Sequence, residues 1–473
     1  MRFSYLLTTS VAAVTAVAGL IVPAPANAHP APDVAITISR AEVRRHHPDV
    51  LVPVFTRRSG EVVLDTDVVA PDTDWAVPGA ESAVVSISVD GRYLTDLVAS
   101  GEQRLHRQLA LGRVSAGVHL VRLRFAAERS AAASRSVRLD RVRITTYRAG
   151  SAEQLVLRYA PVIYGRDLAE LGSPYQNATT DTPLIAWHEI TPAATPGHRV
   201  LTYSIVWSNE DGGTNSPALM ARWGRTTDIE WVYAVEIDER GNRVAGSDTY
   251  QAPNHETLHF AGRYEGDHAL LQTCTSNNNM CDEVDDPMRF FLSPLQTLPA
   301  GKAREYLMDT NSWTYQIMAK EMLREGKIEP ASPATAGTPE VSDQRNYLYA
   351  VVDKTTNAPN TGANWVGVAL GVRLVDGQTV YLSNHVDPTW SIQRDIPAAT
   401  TVELPAGTTA DDIAEVSAHR VVVGADTGAA VHVKALQRGF LLGPDHLPQD
   451  SFLSWTGDVT LDPATSSQVL WRR

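Results

Sequence analysis

The chain has 473 residues, 43% hydrophobic and 20% charged, with a formal net charge of −13. Such a length exceeds what one core supports, so two or three domains are expected. The acidic balance excludes the electrostatic footprint of a nucleic-acid binder and disfavours strong attraction of the whole chain to anionic lipid.

Arg2, an apolar run from Leu6 to Val22 and then Ala26-Asn27-Ala28 have the pattern of a secretory signal peptide over residues 1–28, with His29 as the mature start. Its removal leaves a net charge of about −14. No later segment reaches the roughly 20 apolar residues of a membrane span. The expectation is therefore a secreted, extracellular protein without a transmembrane segment. Abundant Ala, Val and Arg, with no lysine before Lys302, fit the codon bias of a GC-rich bacterium.

Residues 29–150 read as a β-sandwich. Val34 to Ile38, Val84 to Val89, Gly117 to Phe125 and Val137 to Ile144 alternate apolar and polar residues, and Asp90-Gly91 marks a turn. Residues 151–329 read as a central sandwich-like β domain. Arg158 to Tyr164 is expected to be an edge strand because of Pro161. Strands follow at Leu201 to Trp207 and, after the Gly224 to Glu230 segment, at Trp231 to Ile237. One helix is expected over residues 312–325, capped by Asp309 or Asn311, with Trp313, Ile317 and Met318 facing a core and Gly326 ending it. Residues 330–340, rich in Ala, Pro, Ser, Thr and Gly, read as a linker. A further β domain fills residues 341–473. The fold class is thus mainly all-β, with several sandwich domains.

The two cysteines, Cys274 and Cys281, enclose Thr275-Ser276-Asn277-Asn278-Asn279-Met280. In an exported chain they are expected to form a disulfide. The asparagine run inside that loop reads as an exposed turn, the alternative being amides presented to a polar ligand.

The chemistry concentrates at Gly224-Arg225-Thr226-Thr227-Asp228-Ile229-Glu230. Asp228 and Glu230 stand two apart at a strand entry, so both point to one face. Hard oxygen ligands of this kind, with Asp211 as a third, suit calcium or magnesium. Glu210 is another candidate for the upstream acid. Otherwise the two acids line a solvated face and pair with Arg222 or Arg225. Carboxyls at this spacing also suit a glycan hydrolase, with Glu256 or Asp267 as a third group.

Several residues carry a resemblance. Tyr203-Ser204-Ile205-Val206-Trp207, then Gly224, Asp228 and Glu230 in register, then an apolar strand and Gly266-Asp267-His268-Ala269, resemble the middle of two families. These are the necrosis- and ethylene-inducing-like secreted proteins, with their GHRHDWE heptapeptide, and the vacuolar-sorting-type domains, with GDWE. In the first family the resemblance implies a β-sandwich whose cation pocket docks sphingolipid headgroups. Arg225 and Thr227 replace both histidines of the heptapeptide, so only Asp228 and Glu230 carry over. Val89-Asp90-Gly91 followed by Ser115-Ala116-Gly117-Val118-His119 resembles carbohydrate-binding β-sandwich modules.

His255-Glu256-Thr257-Leu258-His259 has the letters of a zinc metallopeptidase, a motif that requires a helix. Read without a helix, His255 or His268 is a loop histidine that joins the acidic cluster as ligand or general base. Trp207 and Trp231 are candidates for stacking on sugar rings, with Asp267 and His268 as further ligand-binding residues. The expected function is recognition of an extracellular polysaccharide or glycolipid through an acidic, cation-assisted cleft, with hydrolysis by Asp228, Glu230, His255 and Glu256 as an extension. Its alternatives are a toxin-like binder of membrane headgroups, a metallopeptidase and a purely structural surface protein.

Overall fold

The computed structural model describes residues 32–169, 172–210, 215–335, 337–357 and 362–473. Residues 1–28, read as a signal peptide, and Asp211 lie outside that set.

Alternating burial defines the first sandwich. Its two four-stranded sheets run Asp33–Arg44, Ser136–Arg148, Gly60–Val69, Leu105–Val114 and Asp49–Thr56, Gly117–Phe125, Ala83–Val89, Arg92–Ala99. In Gly117–Phe125, His119, Val121, Leu123 and Phe125 turn inward, while Val118, Leu120 and Arg124 face solvent. A six-stranded sheet follows: Glu256–His259, Thr249–Ala252, Ile229–Ile237, Arg199–Trp207, Pro183–Pro192 and Gln296–Thr297. Beside it, Tyr264–Glu265, His268–Thr273, Val162–Tyr164 and Arg289–Phe290 form a smaller sheet, with Met280–Cys281 paired to His268–Thr273. Two more four-stranded sheets, between Tyr347 and Arg472, make the last sandwich.

One apolar core is continuous from Val43 and Leu64 to Trp187, Val232 and Met318. Another, with Leu348, Val368 and Val433, fills the last sandwich. Main chain joins the first sandwich to the middle sheets: Ala110 N donates to Phe291 O at 2.8 Å, and Ser293 N to Gln108 O at 3.1 Å. These bonds cover what would otherwise be the open edge of Leu105–Val114.

Local expectations need two corrections. Arg158 and Tyr159 end a helix, Ala152–Tyr159, capped by Ser151. Only Val162–Tyr164 is a strand, and it sits between two neighbours, because Pro161 precedes it and costs no ladder bond. The 312–325 segment is helical over Trp313–Arg324 and buries Trp313, Ile317 and Met318. Neither Asp309 nor Asn311 caps it by side chain; Asp309 Oδ1 instead accepts from Tyr315 Oη at 2.7 Å. Among the described residues, three further α-helices, Ala152–Tyr159, Ser216–Trp223 and Tyr306–Thr310, are not among the expected elements. Within 330–340, Ser332 N donates to Glu403 Oε1 at 3.1 Å, and Thr338 is buried.

Glu61 and His268 meet where the first sandwich faces the middle sheets. His268 Nδ1 donates to Ala160 O at 3.0 Å, and its Nε2 lies 3.9 Å from Glu61 Oε2. Burial drives the imidazole down to about 4 and the carboxyl up to about 7. The ring is therefore neutral at pH 7, and the contact is not an ion pair. A carboxyl whose pKa rises on folding stabilises fully below its unfolded value of 4.5, and that contribution is lost as pH climbs through 7. Glu61→Gln should accordingly be more stable than the parent above pH 7, by up to about 3 kcal/mol, and match it near pH 4.5. Urea midpoints at pH 8 and pH 4.5 measure this; an unchanged difference between the two pH values would contradict it.

Candidate functional site

One end of the six-stranded sheet, where Pro183–Pro192 and Ile229–Ile237 begin and Arg199–Trp207 and Thr249–Ala252 finish, brings together buried Asp181, Asn209, Asp228, Gln251, Asn278 and Asn279. Trp207 N donates to Asp228 O at 2.9 Å and Glu210 N to Thr226 O at 3.1 Å, which fixes the strand-entry turn beside the strand exit. The cystine Cys274–Cys281 closes the loop that lies over this end.

Asn278 is the hub. It occupies left-handed backbone at φ 55°, which asparagine tolerates, and is 1% exposed. Its Nδ2 donates to Asp181 Oδ1 at 2.8 Å, Asn209 O at 3.1 Å and Asp228 Oδ2 at 3.1 Å. Asp181 in turn pairs with Arg166 at 3.0 Å, both side chains being fully buried. Burial pushes the Asp228 carboxyl well above the usual carboxylate range; nearby Glu230 and Glu210 push it further, against Arg225 and the Asn278 amide. Burial, with Glu230 adding to it, raises Glu210 to about 7 despite Arg225 and Arg222. Asp228 thus feels the charge of both neighbouring carboxyls, and Glu210 that of Glu230.

Amides surround them. Gln251 Nε2 donates to Glu230 Oε2 at 3.1 Å and lies 3.0 Å from His255 Nδ1. Asn279 Nδ2 is 3.4 Å from the same ring nitrogen, and Asn277 Nδ2 is 3.4 Å from His255 Nε2. Among the described residues, Gln251 Oε1, Asn278 Oδ1 and Asn279 Oδ1 are buried with no hydrogen-bond donor. An orphaned buried acceptor is costly, and a bound water or ion is one way to satisfy it.

The turn carrying Asp228 is clamped from outside. Helix Ser216–Trp223, capped by Asn215, ends at Gly224 in left-handed backbone. Its terminal carbonyls are taken up by the last sandwich: Thr401 Oγ1 donates to Met220 O at 2.9 Å, Thr400 Oγ1 to Ala221 O at 2.6 Å and Arg394 Nη1 to Arg222 O at 2.7 Å. Arg394 also stacks on Trp223, 4.0 Å from its ring centre. Arg225 reaches Glu305 at 3.0 Å and Thr227 O, while Thr226 N and Thr227 Oγ1 contact Met318 and Met308. Arg225 therefore pairs with Glu305, and neither it nor Arg222 forms an ion pair with Asp228 or Glu230 among the described residues.

Of the sequence-derived residues, Asp228, Glu230 and His255 come together. Glu256 does not: it starts the exposed edge strand Glu256–His259. That strand also removes the helix a His-Glu-x-x-His metallopeptidase needs; Asn254 and His255, at φ 62° and 59°, break the chain before it. Trp207 is wholly buried, so its ring cannot stack on a ligand, whereas Trp231 is half-buried. Asp267 pairs with Arg158 at 2.6 Å, and His268 contacts Ala160 and Glu61, none of which touches the acid cluster. The asparagine run is not an exposed turn, because Asn278 and Asn279 are buried. Sequence reading missed Asp181, Arg166 and Gln251. An Asn triplet inside a cystine ring was the one local signal. Among the described residues, no three His, Cys, Asp or Glu side chains are grouped closely enough to hold a metal unaided.

No family profile and no curated protein matches the chain. Among solved structures, it is similar to a family 35 carbohydrate-binding module from Clostridium thermocellum at 15% identity, over 24% of this chain and 98% of that one, with a TM-score of 0.18. A second is the CBM36-1 domain of a multidomain xylanase from the hindgut metagenome of Trinervitermes trinervoides, at 10% identity over 24% and 99%, TM-score 0.17. A third is a ruminal GH26 endo-β-1,4-mannanase, at 11% identity and TM-score 0.17; the match covers 25% of this chain and 26% of that enzyme. TM-scores this low carry neither fold nor function across to this chain.

Proposed function

We propose that the Asp228–Glu230–Glu210 cluster, with the amides of the cystine loop, recognises an extracellular glycan with the help of a divalent cation. The observation that supports this is a buried carboxyl, Asp228, pushed up by Glu230 and Glu210 beside three buried amide oxygens that lack donors among the described residues. Both features call for positive charge or for hydroxyl donors. Calcium or magnesium takes carboxylate and amide oxygens, and sugar hydroxyls would reach it from the side of half-buried Glu230 and Trp231. Asp228 and Glu230 would hold the cation, with Asp211 as a further ligand. It would neutralise the carboxyls and offer a centre to vicinal hydroxyls.

A second reading, hydrolysis, is favoured by Glu210. Burial raises the Glu210 carboxyl to about 7, where a general acid can hold its proton at neutral pH. A glycan array combined with a reducing-sugar assay tests both. Array binding without sugar release is the outcome expected for a binder. Sugar release that disappears in Glu210→Gln would move the assignment to an enzyme, and no array binding with calcium present would overturn both readings.

A further inference from the structure

The outer face of one sheet in the first sandwich carries apolar side chains where solvent-facing positions normally take polar ones. Leu51, Pro53 and Phe55 alternate outward on Asp49–Thr56, as do Val118 and Leu120 on Gly117–Phe125. The strands pair with Pro53 opposite Leu120 and Phe55 opposite Val118, so the five side chains form one patch. Phe55 is 58% exposed and Val118 74%. Scattered exposed apolar residues are ordinary, but a contiguous patch in strand register marks a contact surface.

Arginines frame the patch. Arg57 and Arg58 stand exposed in the turn after Phe55, and Arg122 and Arg124 continue the row of Val118 and Leu120. Arg122 is held in place by Asp49 at 2.6 Å. Whole-chain charge conceals this: residues 32–150 contain 17 arginines against 14 acidic residues, a net of +3, while residues 151–473 carry −17.

We propose that this face docks on an anionic lipid surface. The apolar patch would sit at the headgroup–acyl boundary and the flanking arginines on headgroup phosphates, the arrangement that peripheral membrane attachment requires. An acidic polysaccharide would satisfy the arginines and leave five apolar side chains without a role. A second copy of the chain, joined face to face about a two-fold axis, would set the same arginines against each other.

Co-sedimentation of the intact protein with phosphatidylglycerol vesicles and with phosphatidylcholine vesicles tests the proposal. Binding to the anionic vesicles alone, weakened by salt, is expected. Arg57→Ser/Arg58→Ser should weaken it about tenfold or more, and Phe55→Ser/Val118→Thr should reduce it comparably. All four positions are exposed, so both variants should keep the parent's unfolding midpoint. Three outcomes would overturn the proposal: no binding to phosphatidylglycerol, equal binding by parent and both variants, or a concentration-dependent dimer that the Phe55→Ser/Val118→Thr change dissolves.

Discussion

Replacing Asp181 with alanine should cost about 3–5 kcal/mol of folding stability, the range for removing one partner of a buried ion pair. Arg166 and Asp181 are both fully buried at 3.0 Å, so the change takes a counter-charge away from a guanidinium out of reach of water. It also removes the 2.8 Å bond that orients Asn278. Asn278 then loses its hold on Asp228, and ligand binding should fall with stability. Asn278→Ala separates the two effects: it leaves the ion pair in place, so it should cost about 1–3 kcal/mol while still disturbing the acid cluster. Urea unfolding measures both, and a loss below about 1 kcal/mol for Asp181→Ala would mean that the pair does not anchor this end of the sheet.

Gly224→Ala should be the second most damaging change. Gly224 has φ 69°, and a Cβ there would lie 3.0 Å from both Ala399 Cβ and Thr400 N. Left-handed backbone costs a non-glycine residue about 1–2 kcal/mol, and forced overlap adds about 1–3 kcal/mol. Gly246, at φ 74° with nothing within 4 Å, is the internal control. Gly246→Ala should show the backbone cost alone. The excess for Gly224→Ala measures how tightly the last sandwich presses on the turn that carries Asp228. Equal losses for the two variants would show that the clamp at Thr400, Thr401 and Arg394 does not constrain that turn.

Much of the architecture was legible because strands with one buried face write period-two patterns, as Gly117–Phe125 and Val137 to Ile144 do. Helix Trp313–Arg324 was legible for the corresponding reason at period 3.6. Helix Ala152–Tyr159 was not, since its β-friendly Val156 and Tyr159 run straight into Pro161 and a short strand. Ser216–Trp223 is only eight residues long, and its C-terminal carbonyls are bonded by side chains more than 170 positions away, which no local pattern encodes. Within the site, Asp228 and Glu230 were visible as a pair. His255 was visible for a motif that the structure does not form. Gln251, Asp181 and Arg166 act only through tertiary contacts. Asn278 and Asn279 misled because asparagine-rich loops are ordinarily solvated, whereas this one is folded inward by its cystine and by Thr275, whose Oγ1 accepts from Asn279 N at 2.9 Å.

The central claim is that the acid–amide cluster holds a divalent cation, and thermal unfolding of the intact protein with and without millimolar calcium tests it directly. Calcium should raise the melting temperature of the parent by several degrees, since a ligand at about a hundred times its Kd stabilises by about 2.7 kcal/mol. Asp228→Asn/Glu230→Gln should abolish the shift. An equal shift in parent and variant, or no shift in the parent with either calcium or magnesium, would contradict the claim.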